Sequence, residues 1–403
     1  MTLLRVSLAY LRAKPLNTFL NIVLMAMGVA TIVVLLSAAS QLEARMARDA
    51  RGIDLVVGAK GSPLQLVLAG VYHLDVPPGN VPLIAVQSLA NHRFVKRVVP
   101  LALGDTYRGY RIVGTTWAYT AFYSGVLAQG REWTAPLEAV MGSEVAAAHG
   151  LKVGDSIAGS HGLGEAGGSH ESTPYKIVGV LAHSGTVLDR LVLTAVESVW
   201  LQHIAPAPDE SPAQILNALR DDEREVTVGL IQYATPLAAA SLPREINASP
   251  SLQAASPAVE TARLFTLLGV GLDTLRAFGV LLMFAAGLSI FIALYNALEE
   301  RRYDLAVMRM MGARRSVLVQ LVMIEGLIVA LAGALTGLLL GHIATELLGW
   351  ALAARKQPSI TGWRWADEEW FIIFAAIAIG LAAALVPAWR ARGRDVAQTL
   401  SER

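Results

Sequence analysis

The chain has 403 residues, of which 54% are hydrophobic and 16% are charged, whereas an average soluble domain carries about 25% charged residues. This composition favours a membrane protein, and the length leaves room for a separate soluble domain. The net charge of +1 argues against a nucleic-acid-binding protein, and the absence of cysteine excludes disulfides and thiolate metal sites.

Residues 1–16 form the first predicted element, an amphipathic helix on the cytoplasmic membrane surface. Leu3, Leu4, Leu8 and Leu11 supply its apolar face, and basic residues lie between them. An ordinary basic flank of the first span is the alternative interpretation.

Four stretches are long and apolar enough to cross a bilayer, which requires about 20 residues of helix. The predicted spans lie within residues 17–40, 265–299, 316–345 and 370–390, and the second range includes a stalk helix ahead of its span. Basic residues precede the first stretch, as they precede a secretory signal. Its apolar core exceeds the length of about 7 to 15 residues that is usual in a signal, so we predict an uncleaved anchor.

Basic residues cluster beside three membrane boundaries, and they predict the orientation. They are Arg5, Arg12 and Lys14 near the amino terminus, Arg301, Arg302, Arg309, Arg314 and Arg315 between the second and third spans, and Arg390, Arg392, Arg394 and Arg403 at the end of the chain. Lys and Arg accumulate in cytoplasmic loops, so both termini, including the tail 391–403, are expected in the cytoplasm. Residues 41–264 and the short loop 346–369 are then periplasmic, and the protein is a multi-pass protein of a bacterial inner membrane.

Residues 41–264 differ in character from the spans, because short β-branched runs alternate with Gly and Pro. This pattern predicts an α+β domain of two subdomains, with a boundary in the Pro-rich residues 205–212. The predicted strands are residues 54–57, 97–102, 110–113, 176–181, 190–194 and 225–230, and the predicted helices are 63–71, 136–149 and 212–219. The predicted fold class is therefore a membrane protein with four transmembrane α-helices and a large α+β periplasmic domain between the first and second spans.

Several motifs of enzyme chemistry are absent from the sequence. It contains no G-x-x-x-x-G-K-[ST] phosphate loop, no H-E-x-x-H and no G-x-S-x-G. The chain therefore cannot hydrolyse ATP through a phosphate loop, and we predict no catalytic residues and no cofactor in it.

Residues 300–315, between the second and third spans, combine charges with regularly spaced apolar side chains. Leu305, Met308 and Met311 recur at helical spacing, and Gly312 supplies a helix stop. Such a short amphipathic helix can dock into a groove of a cytoplasmic partner. A basic loop that only fixes the topology is the alternative.

The run from Glu300 to Arg315 resembles the E-R-x-x-E-I-x-x-x-R-A-L-G-A-x-R pattern of MacB/FtsX-type ABC permeases, the type VII or mechanotransmission superfamily. The ending Pro387-Ala388-Trp389-Arg390-Ala391 is similar to the family's P-A-x-x-A, and the layout of spans and insert also fits. Two departures are Asp304, where the pattern has Glu, and Met310-Met311 in place of Ala-Leu. Neither departure removes the amphipathic character of the segment.

The resemblance implies a dimer of four-span permeases in which each subunit engages a separate ABC ATPase that holds the ATP and Mg²⁺. The segment at 300–315 is then the coupling helix, and its implied ATPase contacts are Glu300, Arg301, Asp304, Leu305, Met308, Arg309, Met311, Gly312 and Arg314. Closure of the ATPase dimer would move these helices and, through the stalks, the periplasmic domain, with no substrate path through the bilayer.

Polar and glycine residues in the third span carry separate expectations. For Glu325 we predict a structural hydrogen bond to a neighbouring helix, because ionisable groups are costly in a membrane. A role as a proton relay is the alternative interpretation. Gly333, Gly337 and Gly341 repeat every four residues and predict close helix packing, within the subunit or across the dimer.

A Gly-rich loop at 160–171 contains His161, His170 and two glutamates, which suggests a zinc contact. Incidental histidines on a surface loop are the alternative interpretation. His73 and Asp75 form a further candidate pair.

Two classes of function remain open. The first is an ABC permease for periplasmic cargo, which either expels a small molecule with a periplasmic adaptor or extracts a lipoprotein. The second is an ATPase-coupled transmembrane regulator of a periplasmic enzyme or sensor, which transports nothing. The expected partners are the ATPase, a second permease copy, an adaptor or lipoprotein and membrane lipid, with no nucleic acid.

Overall fold

The computed structural model describes residues 3–162, 173–204, 211–357 and 359–392, without the side chain of Arg392. The chain divides into two compact units. We call Met1–Leu42 together with Leu268–Arg403 the membrane unit, and Glu43–Leu267 the inserted domain.

The helices are α1 (Leu3–Ala13), α2 (Pro15–Asp49), α3 (Pro63–Gly70), α4 (Leu83–Ser88), α5 (Ser143–His149), α6 (Val196–His203), α7 (Pro212–Ala218), α8 (Ala238–Asn247), α9 (Pro257–Glu300), α10 (Arg302–Met310), α11 (Arg315–Ala354) and α12 (Glu369–Arg392). Four of them, α2, α9, α11 and α12, are long and apolar enough to span a membrane. The predicted membrane class is therefore confirmed, although α11 runs to Ala354 and so extends beyond the predicted limit at residue 345.

The membrane unit has a core of side chains from all four long helices. Val29 of α2, Ile290 of α9, Val329 of α11 and Ala376 of α12 are all buried in it. Helix α1 packs on the same unit, where Ser7 donates a hydrogen bond to the carbonyl of Leu321 over 3.3 Å.

The strands are β1 (Leu55–Ala59), β2 (Val81–Pro82), β3 (Val95–Tyr107), β4 (Tyr110–Thr115), β5 (Leu127–Gly130), β6 (Glu138–Met141), β7 (Ser156–Ile157), β8 (Ser160–His161), β9 (Tyr175–Leu181), β10 (Leu191–Ala195), β11 (Glu225–Val226), β12 (Val228–Tyr233) and β13 (Leu252–Ala255). Their main sheet has the order β13-β1-β12-β3-β4-β10-β6-β9-β5; in addition β7 pairs with β9, β8 pairs with β3, and β11 forms a separate pair with β2. Each of the six predicted strands coincides with or overlaps a strand of the inserted domain, and the α+β class is confirmed.

The long strand β3 joins the two halves of this sheet. Its first part pairs with β12, and its last part pairs with β4 and β8. Separate buried cores lie at the two ends, one around Leu55 and Ile231 and the other around Tyr175 and Ile177. The two halves thus share one strand within a single compact unit. The predicted boundary between subdomains at 205–212 lies mostly outside the described residues.

The predicted helix at 136–149 is wrong over its first half. Residues Glu138–Met141 form strand β6 between β9 and β10, and the helix α5 begins only at Ser143. Leu137 has φ +64°, which interrupts a helix, and burial of Ala139, Val140 and Met141 in the sheet overrides their helical propensity.

Buried and partly buried hydrogen bonds attach the helix ends in the inserted domain to its loops. Asp49, the last residue of α2, accepts a bond from the Val187 amide over 2.8 Å, and its carbonyl accepts one from the Tyr123 hydroxyl over 3.0 Å. The hydroxyls of Tyr72 and of Thr261 in α9 lie 2.7 Å apart. Both helices that carry the chain into and out of the domain are therefore fixed to its core.

Candidate coupling site

Helix α10 lies between the second and third spans, within the range predicted for a coupling helix. It begins at Arg302 and ends at Met310, and the chain then turns at Gly312, which has φ +95°. The amides of Gly312 and Ala313 donate to the carbonyls of Arg309 and Met308, which closes the last turn. A side chain at Gly312 would be strained in this conformation, so glycine sets the length of the helix.

One face of α10 packs on its own membrane unit. Leu305 is only 6% exposed, Ala306 is buried beside it, and Met308 packs against the same core. Leu305 and Ala306 position the helix, and Leu305 is not accessible to a partner, whereas Met308 is only half-buried. Leu305 is therefore not kept among the residues predicted to contact an ATPase.

The opposite surface of the segment is exposed. Of the residues named from the sequence, Glu300, Asp304, Met311, Gly312 and Arg314 are exposed and Arg309 is half-buried. Met311 is 75% exposed, and Tyr303 and Met310 also present apolar surface. This part of the chain thus carries exposed apolar side chains among charges, as expected of a docking surface.

Arg301 points back into the membrane unit. Its Nη1 donates to both carboxylate oxygens of Glu325, over 2.9 and 3.1 Å, and its Nη2 donates to the carbonyl of Tyr10 over 3.2 Å. The guanidinium carbon lies 3.9 Å from the centre of the Tyr10 ring. Arg301 therefore ties α1 and α11 to the start of α10, and its predicted role as an ATPase contact is withdrawn.

A second ion pair joins Glu300, at the end of α9, to Lys14 between α1 and α2. Both side chains are partly exposed. Together with the Arg301 contacts, this pair holds the root of α10 against the amino-terminal helix.

Comparison with known proteins identifies the family. The model of the MacB-like periplasmic core domain matches residues 18–262, more than half of the chain, and that of the FtsX-like permease C-terminal region matches residues 276–396. The chain belongs to the MacB/FtsX family of permeases. Such permeases are components of ABC transporters and work with ABC ATPases.

Two solved structures are similar to about half of this MacB/FtsX permease. The periplasmic region of MacB from Actinobacillus actinomycetemcomitans has 10% sequence identity and a TM-score of 0.34, and the match covers 53% of this chain and 95% of that one. The extracellular domain of the noncanonic ABC-type transporter YknZ from Gram-positive bacteria has 13% identity and a TM-score of 0.31. This match covers 50% of the present chain and 98% of the YknZ domain. No curated protein matches the chain.

The glycines of α11 form a face of this permease that packs on the first span. Cβ atoms built on Gly333, Gly337 and Gly341 would lie 2.6 to 2.7 Å from atoms of Met25, Ala26 and Val33 in α2. Of the two predicted arrangements, the structure shows packing within the subunit.

The histidines named from the sequence lie in the inserted domain. His161, on β8, is brought beside Asp105 and His203, whereas His170 lies outside the described residues. His73 is buried and its Nε2 lies 3.0 Å from the Tyr119 hydroxyl, and Asp75 accepts a bond from the Val76 amide.

Sequence analysis missed Tyr10 and Lys14 at the coupling site and Asp105 and His203 beside His161. Each lies tens to hundreds of residues from its partner, and none belongs to a spaced motif. Only the basic flank that contains Lys14 gave any signal, and that signal concerned orientation.

Proposed function

We propose that this MacB/FtsX permease couples ATP hydrolysis by a separate ABC ATPase to a conformational change of the inserted domain, for efflux or lipoprotein-type extraction. In this proposal α10 and both termini are cytoplasmic, the inserted domain is periplasmic, and the membrane is a bacterial inner membrane. The basic residues around α10 and at both ends of the chain support this orientation.

The surface of α10 is the observation that carries the proposal. The helix is fixed on one side by Leu305 and Ala306, while Tyr303, Met310 and Met311 are exposed. Flexible Met side chains on a fixed short helix suit a groove of a partner protein. The proposed ATPase contacts are now Glu300, Tyr303, Asp304, Met308, Arg309, Met310, Met311, Gly312 and Arg314.

Helix α9 provides a covalent route from this surface to the inserted domain. It runs without interruption from Pro257 to Glu300, so the same helix bears Thr261, bonded to Tyr72, and Glu300, the first residue of the segment 300–315. A displacement of α10 would thus be applied to the end of a helix whose other end belongs to the inserted domain. The chain needs no ATP or Mg²⁺ site for this role, because the partner ATPase supplies them.

The family resemblance supports two further parts of the proposal. The working unit would be a homodimer of permeases with an ATPase dimer, and a periplasmic adaptor or a lipoprotein would bind the inserted domains. We propose lipid as the remaining partner of the exposed apolar surface of the four spans.

Co-purification tests the coupling role. The full chain is isolated from its native membranes with an affinity tag, both as wild type and as Met311→Asp, and ATP hydrolysis of the eluate is measured. We expect an ABC ATPase to elute with the wild type, and Met311→Asp to lose most of it, because a carboxylate would have to be desolvated in the groove.

The matched control is Leu237→Asp, which places the same charge at an exposed leucine of the inserted domain. It should retain the ATPase. Absence of any ATPase from the wild-type eluate, or equal retention by Met311→Asp and Leu237→Asp, contradicts the proposed coupling.

A further inference from the structure

Three potential metal ligands from distant parts of the sequence meet at one end of β3. Asp105 lies on β3, His161 lies on β8 directly opposite it in the strand pair, and His203 is the last residue of α6. Their ligand atoms all lie within 4.8 Å of one another.

The distances between these atoms fit a metal centre. Oδ1 of Asp105 is 3.2 Å from Nδ1 of His161 and 3.7 Å from Nε2 of His203. Two ligands bound to Zn²⁺ at about 2.0 to 2.1 Å with tetrahedral angles are about 3.3 Å apart. The two distances from Asp105 therefore differ from this value by only tenths of an ångström, and the two histidine nitrogens lie within 4.8 Å of each other.

The orientation of His203 adds a second, independent observation. Its Nδ1 lies 2.7 Å from the carbonyl oxygen of Val199, one turn earlier in α6. A carbonyl can only accept, so Nδ1 carries a proton, and the other ring nitrogen, Nε2, faces Asp105. Metal-bound histidines are held in this way by a bond from the other ring nitrogen, so His203 already has the orientation of a metal ligand.

The scaffold fixes His161 as well. The Thr106 hydroxyl donates to the Gly162 carbonyl over 2.8 Å, and the Ser160 hydroxyl donates to the Thr106 carbonyl over 3.2 Å, so β8 is held on both sides of His161. Asp105 is 1% exposed, whereas the side chains of His161 and His203 are 49% and 42% exposed. The buried carboxylate supplies negative charge, and the half-exposed rings give an ion access from solvent.

We propose that Asp105, His161 and His203 form a three-ligand site for a divalent transition-metal ion, with Zn²⁺ as the chemically favoured occupant. Two imidazole nitrogens and one carboxylate oxygen are a ligand set that Zn²⁺ accepts in proteins. Three protein ligands leave one tetrahedral position for water or for a donor atom of a bound molecule. The site does not depend on the proposed ATPase coupling.

A second group of similar composition, Glu144, His183 and Asp189, lies in the same domain, and there the carboxylate of Asp189 has a structural role. Asp189, near Glu144 and His183, accepts bonds from the amides of Ser184 and Gly185, over 2.8 and 2.7 Å, and from the Ser143 hydroxyl over 3.0 Å. Its carboxylate is occupied in holding a turn. His183 therefore provides a matched control for the histidines of the proposed site.

Zinc titration of the full chain tests the proposal. The protein is purified in detergent with a tag that contains no histidine, stripped with a chelator, and titrated calorimetrically with Zn²⁺ alone; Co²⁺ absorption reports the coordination geometry. We expect one ion per chain and tetrahedral Co²⁺ bands. His161→Gln and His203→Gln should each weaken binding by at least about tenfold, since even the loss of outer-sphere partners costs about 10- to 100-fold.

The controls are His183→Gln and His170→Gln, which should keep wild-type affinity. Saturating Zn²⁺ should also raise the unfolding temperature of the wild type and of both controls, but not that of the two ligand variants. The proposal is overturned by a wild type without saturable binding, which would leave salt bridges from Asp105 to protonated imidazoles. It is equally overturned if His203→Gln binds like the wild type, or if His170→Gln or His183→Gln loses the ion.

Discussion

At the scale of single residues, the contact between Arg301 and Glu325 explains how a charged residue persists in the third span. Glu325 is nearly fully buried, and both of its oxygens accept from one guanidinium. A buried carboxylate without such a partner would be strongly destabilising. The pair therefore provides the structural hydrogen bond predicted for Glu325, and its partner is the residue directly before α10.

Removal of Arg301 tests the pair. We expect Arg301→Ala to destabilise the membrane unit by about 3 to 5 kcal/mol, because Glu325 would stay buried without its partner. The double variant Arg301→Met/Glu325→Leu should recover most of the loss, because an apolar pair of similar size removes the buried charge. The unfolding temperature in detergent is the measurement.

The exposed ion pair between Lys14 and Glu300 provides the comparison. Lys14→Ala should cost no more than about 1 kcal/mol, since exposed pairs contribute little. If Arg301→Ala unfolds at the same temperature as Lys14→Ala, Glu325 does not depend on Arg301 for its burial.

A second residue-scale effect concerns His73, which is buried in the inserted domain beside Tyr119. Burial, and then the positive charges of Arg111 and Arg190, lower the pKa of His73 well below its ordinary value. The folded protein thus keeps His73 neutral at a pH where the unfolded chain binds a proton. Stability from this group is fully present above the unfolded pKa of about 6.5 and is lost as the pH falls below it.

The pH dependence of unfolding tests this effect. Between about pH 7.5 and about pH 5.5, the wild type should lose up to about 1.4 kcal/mol per pH unit from His73 once the pH is below about 6.5. His73→Gln should show a smaller decrease in unfolding temperature over the same range. Glu138, whose pKa is lowered to about 2 chiefly by its hydrogen bonds from Arg131, titrates below this range. If stability fell equally steeply with pH in the wild type and in His73→Gln, the folded protein would protonate His73 as readily as the unfolded chain does.

At the scale of elements, the glycine face of α11 determines how closely the third span approaches the first. A Cβ on Gly337 would lie 2.6 Å from the Ala26 carbonyl oxygen and 2.7 Å from the Val29 Cβ. Backbone and branched side-chain atoms cannot move away as easily as the end of a long side chain. The spacing seen in the sequence therefore corresponds to a real contact between two spans.

The same substitution at two helical glycines tests this contact. Gly337→Ala should lower the unfolding temperature, because overpacking costs about 1 to 3 kcal/mol and the gain in helix propensity is only about 1 kcal/mol. Gly271→Ala in α9 should raise it or leave it unchanged, since a Cβ there meets no atom within 4 Å. Equal shifts in both variants would mean that the close approach of α11 and α2 does not occur.

At the scale of the whole molecule, hydrophobic length and charge patterning were sufficient to predict the four long helices and the α+β insert. The strands around residues 110–113 and 176–181 were recovered because β-branched runs bounded by turn residues are local signals. The strand Glu138–Met141 was missed because its residues favour a helix locally, and only its neighbours β9 and β10 make it a strand.

The candidate sites were less predictable for a related reason. Charge at helical spacing identified α10, but it could not show that Arg301 turns inward while Tyr303 and Met310 remain exposed. Asp105 and His203 are separated from His161 by 56 and 42 residues respectively. Only the pairing of β3 with β8 places Asp105 opposite His161. Such distances through the sequence leave no periodic signal.

The covered glycine face also limits how the four spans can meet their surroundings. Because the small residues of α11 already contact α2, a second copy of the chain would meet bulky side chains instead, such as Leu281, Phe284 and Leu288 on one exposed stripe of α9. Acyl chains solvate such a stripe about as well as another helix does. The balance between a paired and a single permease should therefore respond to the thickness and composition of the surrounding bilayer.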